Sequence, residues 1–389
     1  MPALKLSSKY QVRISVGSFE AITKFAANNS GLCEWCELIQ TEVFEAPVDI
    51  SQVPDICIYL CKGEGNDMQA LCFARVKAEK IIAGNFMDPA EWIALKEDKA
   101  LNILDKGVFP GQVLVRLGFG EVEVARAAEK NWQDAFVRLK LRTPYQVRIH
   151  AYQGADLPAA DSNGLIDPSV KFNFMGKTKE TKKIEKNCYP LYYETIVFDV
   201  QLPEIEFAPQ VNCLLYDSDM GGLTQEYMGN FCFSLKDAYL LADPLDELPD
   251  PVWRDFYLEE PGDGQGKFLI GIQLIQKPSP DYVPPAPLPL YPKMKEAWIE
   301  IIALGIRNMA PFNFQAMQNP FMQIDYDSFG KKDTINTESS KKPSPDNPNF
   351  LQRMVMSVHL PDNALFATPL HLTAKVIRYV FIHSFVLFC

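Results

Sequence analysis

The chain has 389 residues, 47% hydrophobic and 12% aromatic, with a formal net charge of -11. That composition supports packed cores and excludes a disordered polar chain, and at about 150 residues per domain the length allows two or three domains. The acidic balance excludes a general nucleic-acid binder, which needs concentrated Lys and Arg.

Short runs of Val, Ile, Phe and Tyr alternate with turn clusters along the chain, and long helical stripes are scarce. The expected fold class is all-β, built from antiparallel β-sandwich modules in tandem. No N-terminal stretch joins basic residues to an apolar run, so no signal peptide is read. Residues 1–142 form a first strand-rich region that opens on Tyr10-Gln11-Val12-Arg13-Ile14. The nine cysteines are scattered, several of them inside apolar runs, which fits reduced buried thiols rather than a disulfide framework. Cys33-Glu34-Trp35-Cys36 has no second pair at zinc spacing, and structural zinc wants about four ligands. A soft boundary lies near Ala127 to Arg142.

The opening phrase returns as Tyr145-Gln146-Val147-Arg148-Ile149, and Trp298-Ile299-Glu300-Ile301-Ile302 is a related strand. Similar strands therefore open successive modules. Residues 143–277 parse into strands at Tyr145–Tyr152, Ser169–Phe174, Thr195–Val200, Val211–Tyr216, Phe231–Leu235, Trp253–Leu258 and Phe268–Ile275. Together these make a two-sheet sandwich. Gly262-Asp263-Gly264-Gln265-Gly266 precedes no helix signal and is read as a hairpin turn.

Two acidic loops sit among these strands. The first carries Asp161 and Asp167 around a Gly-containing stretch; the second carries Asp217 and Asp219, then Glu226 after Gly221-Gly222. Asp217 and Asp219 are two apart, so an extended backbone points both to one side. Carboxylates crowded at one end of a sandwich repel one another unless a hard cation lies between them. Calcium (Ca2+), with about six to eight oxygen ligands, suits side chains drawn from two loops. Two bound ions would cancel most of that negative charge and make the loop end acceptable to an anionic membrane. Leu165, Ile166 and Leu223 lie at the loop tips, where apolar side chains fit lipid contact. The alternative tucks Ile166 and Leu223 into the sandwich end. Lys171, Lys177, Lys179, Lys182, Lys183 and Lys186 follow the first loop as a lipid-headgroup patch or, with Glu180 and Glu185 interleaved, a solvated strand face.

Residues 278–292 are proline-rich and read as a semi-rigid spacer, with a last module over 293–389. Asn336 to Asn349 reads as a long loop in that module. Val376 to Cys389 is apolar but contains Arg378 and His383, and falls short of the roughly 20 residues of a membrane span. It reads as a strand and an irregular tail, with no transmembrane segment.

The Asp-x-x-Gly-x-x-Asp-Pro loop of Asp161 to Pro168, the Asp-x-Asp of Asp217 to Asp219 and Glu226-Tyr227-Met228-Gly229 resemble the calcium-dependent, phospholipid-binding C2-type domain. The resemblance covers residues 143–277 and implies that Asp161, Asp167, Asp217, Asp219 and Glu226 are the metal ligands. Glu226 replaces the commoner Asp, and the second loop is one residue longer than usual. The wider layout resembles the ferlins, multi-C2 proteins of membrane fusion and repair. Pro54 to Leu60, Ala70 to Val76 and Val113 to Gly120 resemble the ferlin B-type region that precedes a C2 domain. Ile299 to Asn308 and Asn347 to Phe350 resemble a further C2 domain. Asn319-Pro320-Phe321-Met322 replaces an Asp-Pro there, and Pro311-Phe312-Asn313-Phe314 supplies no carboxylate. The last module is therefore expected to be partial and not to bind calcium, and the chain to be a fragment or a shortened relative.

The resemblance implies a calcium-regulated protein on the cytoplasmic face of membranes, with anionic phospholipid and fusion or trafficking proteins as partners and no nucleic acid. A calcium-independent C2 interaction scaffold is the alternative. An enzyme is not expected: the sequence has no His-Glu-x-x-His, Gly-x-Ser-x-Gly or Walker loop around its four histidines.

Overall fold

Alternating side chains settle which face of each strand is buried, and the ladders follow from that. A computed structural model describes residues 8–28, 32–43, 45–63, 68–84, 86, 89–97, 110–160, 165–219, 224–237, 239–240, 247–258, 262, 264–311, 317–329, 331–340, 346–376, 379–382 and 385–388. The chain divides into two units, Met1–Pro289 and Leu290–Cys389.

The first unit begins with β1 (Lys9–Val16), β2 (Phe19–Ile22), β3 (Ala26–Ala27), β4 (Ile56–Lys62) and β5 (Gln69–Val76). Helix α1 (Ala78–Gly84), β6 (Glu91–Ala94), β7 (Lys96–Glu97), β8 (Gln112–Val115) and helix α2 (Val122–Lys140) follow. The sheet order is β2-β1-β4-β5-β7, with β3 also on β1 and β6-β8 as a separate pair. Tyr10 and Val12 of the repeated phrase enter one core with Ile58, Leu60, Ala74 and Ile81. The stretch near Ala127 to Arg142, read as a soft boundary, lies largely in helix α2, where Ala125, Ala128, Trp132, Phe136 and Leu139 recur at three- and four-residue spacing among charged residues. Arg138 and Lys140 in its last turn suit the negative end of the helix dipole. Arg138 also donates to Glu204 and to Glu206 Oε2 at 3.0 Å, which ties α2 to the sandwich that follows.

That sandwich comprises β9 (Thr143–Ala155), β10 (Pro168–Phe174), β11 (Lys177–Glu180), β12 (Leu191–Leu202), β13 (Val211–Asp219), β14 (Thr224–Phe233), β15 (Tyr239–Leu240), β16 (Val252–Asp255) and β17 (Lys267–Gln276). One sheet runs β11-β10-β13-β14 and the other β12-β9-β17-β15, with β16 beside β17. Val147 and Ile149 of the second repeat face the core between the sheets. Phe268 joins the layers there, with ring centroids 5.6 Å from Tyr192, 5.9 Å from Phe256 and 6.3 Å from Phe172. Strands β16 and β17 pair antiparallel, part of the stretch expected as their turn, including Asp263, lies outside the described residues, and a Cβ at Gly266 (φ +80°) would meet Asp156 O at 2.7 Å.

The other face of β9 is polar yet also buried. Arg148 Nε donates to Gln146 Oε1 at 2.8 Å, and His150 Nδ1 lies 2.9 Å from Thr195 Oγ1. The Arg148 guanidinium also donates to Pro285 O, and Pro284 is buried. The proline-rich segment, expected as a semi-rigid spacer, is tied to the sandwich at Pro285, because a buried guanidinium needs carbonyl acceptors.

The second unit contains β18 (Met294–Gly305), β19 (Phe321–Ser328), β20 (Lys331–Asn336), β21 (Asn349–Pro361), β22 (His371–Lys375), β23 (Tyr379–Ile382) and β24 (Phe385–Phe388). Sheets β18-β21 and β20-β19-β22 share a core of Ile324, Tyr326, Met356 and Val358; β23 and β24 pair antiparallel. The two units carry antiparallel β-sandwich modules in tandem along the chain. No helix among the described residues is long and apolar enough to cross a membrane.

Candidate metal and lipid site

Strand β13 carries the core to the rim. Val211, Cys213 and Leu215 point inward, each 0% exposed, and Asp217 continues the same side of the strand at 1%. Asp219 is the next residue of that parity, and its backbone pairs with Thr224. Opposite, Asp217 registers with Glu226 of β14, which is exposed, so the two carboxylates stem from neighbouring positions on one face. A bulge between Leu215 and Tyr216 sets this register, and Gly229 allows it with φ +151° where a Cβ would lie 3.2 Å from Tyr257 O.

Strand β10 brings the first loop to the same place. Pro168 registers with Asp217, Asp167 N donates to Asp217 Oδ1 at 2.8 Å, and Ser218 N donates to Asp167 O at 3.2 Å. Asp167 Oδ1 accepts from Lys186 N at 2.8 Å, and its Oδ2 lies 3.5 Å from Lys183 Nζ. Burial, with the Asp217 carboxylate adding to it, pushes the Cys188 thiol above its ordinary pKa. Asp161, Leu223 and the Asp219 side chain lie outside the described residues. Among the described residues no three His, Cys, Asp or Glu side chains form a metal-sized cluster. Asp167 and Asp217 are brought together, and Glu226 is placed across the ladder from Asp217.

One expectation is corrected. Ile166 is 0% exposed and belongs to the sandwich core, so it does not face lipid. It keeps the inward parity of Val170 and Phe172, and its carbonyl accepts from Asn187 N at 2.8 Å. That parity was the available signal. Leu165 is half-exposed, and its carbonyl closes the loop by accepting from Ala160 N at 3.1 Å.

The six lysines stand in different surroundings: Lys171 lies on β10, Lys177 and Lys179 on β11, and Lys182, Lys183 and Lys186 in the segment after β11. Lys171 lies 4.3 Å from the Tyr216 ring centroid and donates to Gln225. At the sandwich edge Lys177 Nζ donates to Asp199 O at 2.7 Å, and Lys179 Nζ lies 5.6 Å from the Phe198 ring centroid. Lys182, Lys183 and Lys186 occupy the turn beside Asp167, where Lys182 N donates to Glu194 Oε1 at 2.9 Å. Sequence spacing missed that Lys183 is a neighbour of an expected ligand.

Residues 145–253 match the C2 domain family. Human myoferlin is 27% identical over 245 residues, covering 58% of this chain and 11% of myoferlin. The chain therefore spans about a tenth of that relative's length. Among solved structures, a single C2 domain of plant Extended Synaptotagmin 1 is 21% identical with a TM-score of 0.30, covering 36% of this chain and 100% of that one. The paired C2 domains of Extended-Synaptotagmin 2 in their calcium-bound form are 16% identical with a TM-score of 0.27, covering 70% of this chain and 87% of that one.

Proposed function

We propose that the chain is a calcium-regulated, phospholipid-binding, ferlin-like protein of membrane fusion, trafficking or repair. It is non-enzymatic and peripheral on the cytoplasmic face of membranes in this reading. One observation carries it: the inward side of β13 runs from Leu215 into a buried Asp217, held at 2.8 Å by the N–H of Asp167. The donors are all oxygens from two loop ends, which fits a hard divalent cation. Asp167, Asp217 and Glu226 would hold calcium, with Asp161 and Asp219 by resemblance. Bound calcium supplies positive charge against the carboxylates, and the acidic end can then approach anionic lipid. Leu165 and Leu223 remain the apolar contacts, and Lys171, Lys182 and Lys186 the headgroup contacts. The C2 family match and the similarity to myoferlin support the reading.

The Lys183 ammonium 3.5 Å from Asp167 favours a second reading, in which the acidic end is already compensated and the modules act without calcium. Sedimentation of the whole chain with phosphatidylserine vesicles, with calcium and with chelator, separates the two. Calcium-dependent pelleting is expected, and titration calorimetry should show about one to three ions. Asp217→Asn with Asp219→Asn should remove most of that heat. Pelleting that ignores calcium favours the second reading, and absence of pelleting in both conditions sinks both.

A further inference from the structure

Every residue from 283 to 289, Val-Pro-Pro-Ala-Pro-Leu-Pro, is a proline or precedes one. Proline fixes φ near about -65° and keeps the residue before it out of the helical region, so the stretch is confined to an extended, polyproline-type helix. No α-helix or strand covers it, and among the described residues only its Pro285 carbonyl has a hydrogen-bond partner, the Arg148 guanidinium. A polyproline helix has about three residues per turn, so positions three apart share an edge. The exposures follow that period. Pro284 is buried and Pro287 half-buried on one edge, and Pro285 and Leu288 are half-buried on the second. Val283, at 83% exposure, Ala286 and Pro289 form an exposed third edge. A strap that only covers the sandwich needs an apolar inner edge and gains nothing from an apolar outer one. The result is a stiff, uncharged ridge, anchored through Arg148, with little chain entropy left to lose on binding. Grooves lined by aromatic side chains take ridges of this kind, and their Trp and Tyr groups can donate to the bare carbonyls.

We propose that residues 283–289 are a docking ridge for a separate folded domain that reads proline helices through a groove of aromatic side chains. The exposed edge of Val283, Ala286 and Pro289 enters the groove, flanked by Pro285 and Leu288. The groove needs no charged pocket, because the ridge offers no charge. The site does not depend on the carboxylates of β13 or on calcium, and gives the chain a protein-recognition surface in addition to its proposed lipid site.

The test titrates the whole chain, with chelator present, into two isotope-labelled probes read by nuclear magnetic resonance. One is a WW domain that selects uncharged proline ligands, and the other is profilin. Saturable shifts confined to the aromatic groove of at least one probe are expected. Ala286→Glu sets a charge on the exposed edge without touching the buried one. It should weaken binding at least ~10-fold, because the groove would bury that charge unpaired. Ser279→Glu adds the same charge outside the ridge and should leave the affinity unchanged. Absence of saturable shifts with both probes overturns the proposal. So does unchanged affinity for Ala286→Glu, which would place the contact elsewhere on the chain. An equal loss for Ser279→Glu also overturns it, since bulk charge and not the ridge would then set the binding.

Discussion

Strands β9 and β18 start from similar alternating sequences and end in different surroundings. β9 is paired on both sides, by β12 and β17, and both its faces are covered: Arg148 is 2% and His150 0% exposed on the outer one. β18 pairs with β21 alone among the described residues, and its outer face leaves Trp298 70% and Ile302 64% exposed. Alternation therefore dictates one buried face, while the second depends on segments far along the chain. The carboxylates differ in the same way. Asp325 lies within β19, and burial alone would raise its pKa. Thr334 Oγ1 at 2.6 Å, Gln323 Nε2 and Lys332 Nζ at 3.1 Å instead hold it below its ordinary range. Asp217 stands at the end of β13 beside the loop of Asp167. Asp325 is thus surrounded by side chains of its own ladder, whereas Asp217 accepts from a backbone N–H of the neighbouring loop.

The comparison of faces can be broken by truncation. Phe268→Ala removes the ring on which the sandwich layers converge and is expected to cost about 3–5 kcal/mol, by the usual penalty for a buried aromatic. Trp298→Ala removes a larger ring from an exposed face and is expected to change stability by less than about 0.5 kcal/mol. Hydrogen exchange of the whole chain, resolved by segment, reads the two modules separately. A loss of protection for Trp298→Ala as deep as that for Phe268→Ala would mean that something covers β18.

The covered outer face of β9 has its own signature. Burial, with the Arg148 charge beside it, lowers the His150 pKa from 6.5 to about 4. The unfolded chain thus takes up a proton before the folded one does, so stability falls as pH drops from about 6.5 toward 4. The loss attributable to this residue is of order ~3 kcal/mol. His150→Gln should flatten the pH dependence of denaturant unfolding across that window. An unchanged slope would mean that the face admits water and that the proline segment is not a cover.

Much of the sandwich is legible in the sequence because each strand alternates locally: Tyr145–Tyr152 and Phe268–Ile275 fall within β9 and β17. The acidic side of β13 is legible for the same reason, since Asp217 keeps the parity of Cys213 and Leu215. Ile166 is misplaced when loop position is weighed above the parity it shares with Val170 and Phe172. Lys183 is missed because its approach to Asp167 depends on a turn, where spacing carries no fixed direction. Helix α2 is missed when the short strand runs around it are weighed above the three- and four-residue spacing of Ala125, Ala128, Trp132, Phe136 and Leu139. The contact of the proline segment is not legible because stiffness is a local property, while the Arg148 that ties Pro285 to the sandwich lies in a strand more than a hundred residues earlier.

The smallest expected effect is the most discriminating for the acidic rim. Lys183 Nζ lies 3.5 Å from Asp167 Oδ2 and, at 28% side-chain exposure, is partly shielded from screening. An ammonium so placed opposes a divalent cation at the same carboxylate, so Lys183→Met should tighten calcium binding by roughly 2- to 5-fold, the range of a partly exposed ion pair. The same substitution should weaken pelleting with phosphatidylserine vesicles if Lys183 reaches headgroups, because a cation near an anionic surface contributes about 1 kcal/mol. The two readouts therefore move in opposite directions if this lysine serves both acid and lipid. Tighter calcium binding with unchanged pelleting makes it a gate on Asp167 alone. Unchanged calcium binding means that Asp167 does not touch the ion, and the contrast between Asp217 and Asp325 then loses its chemical basis.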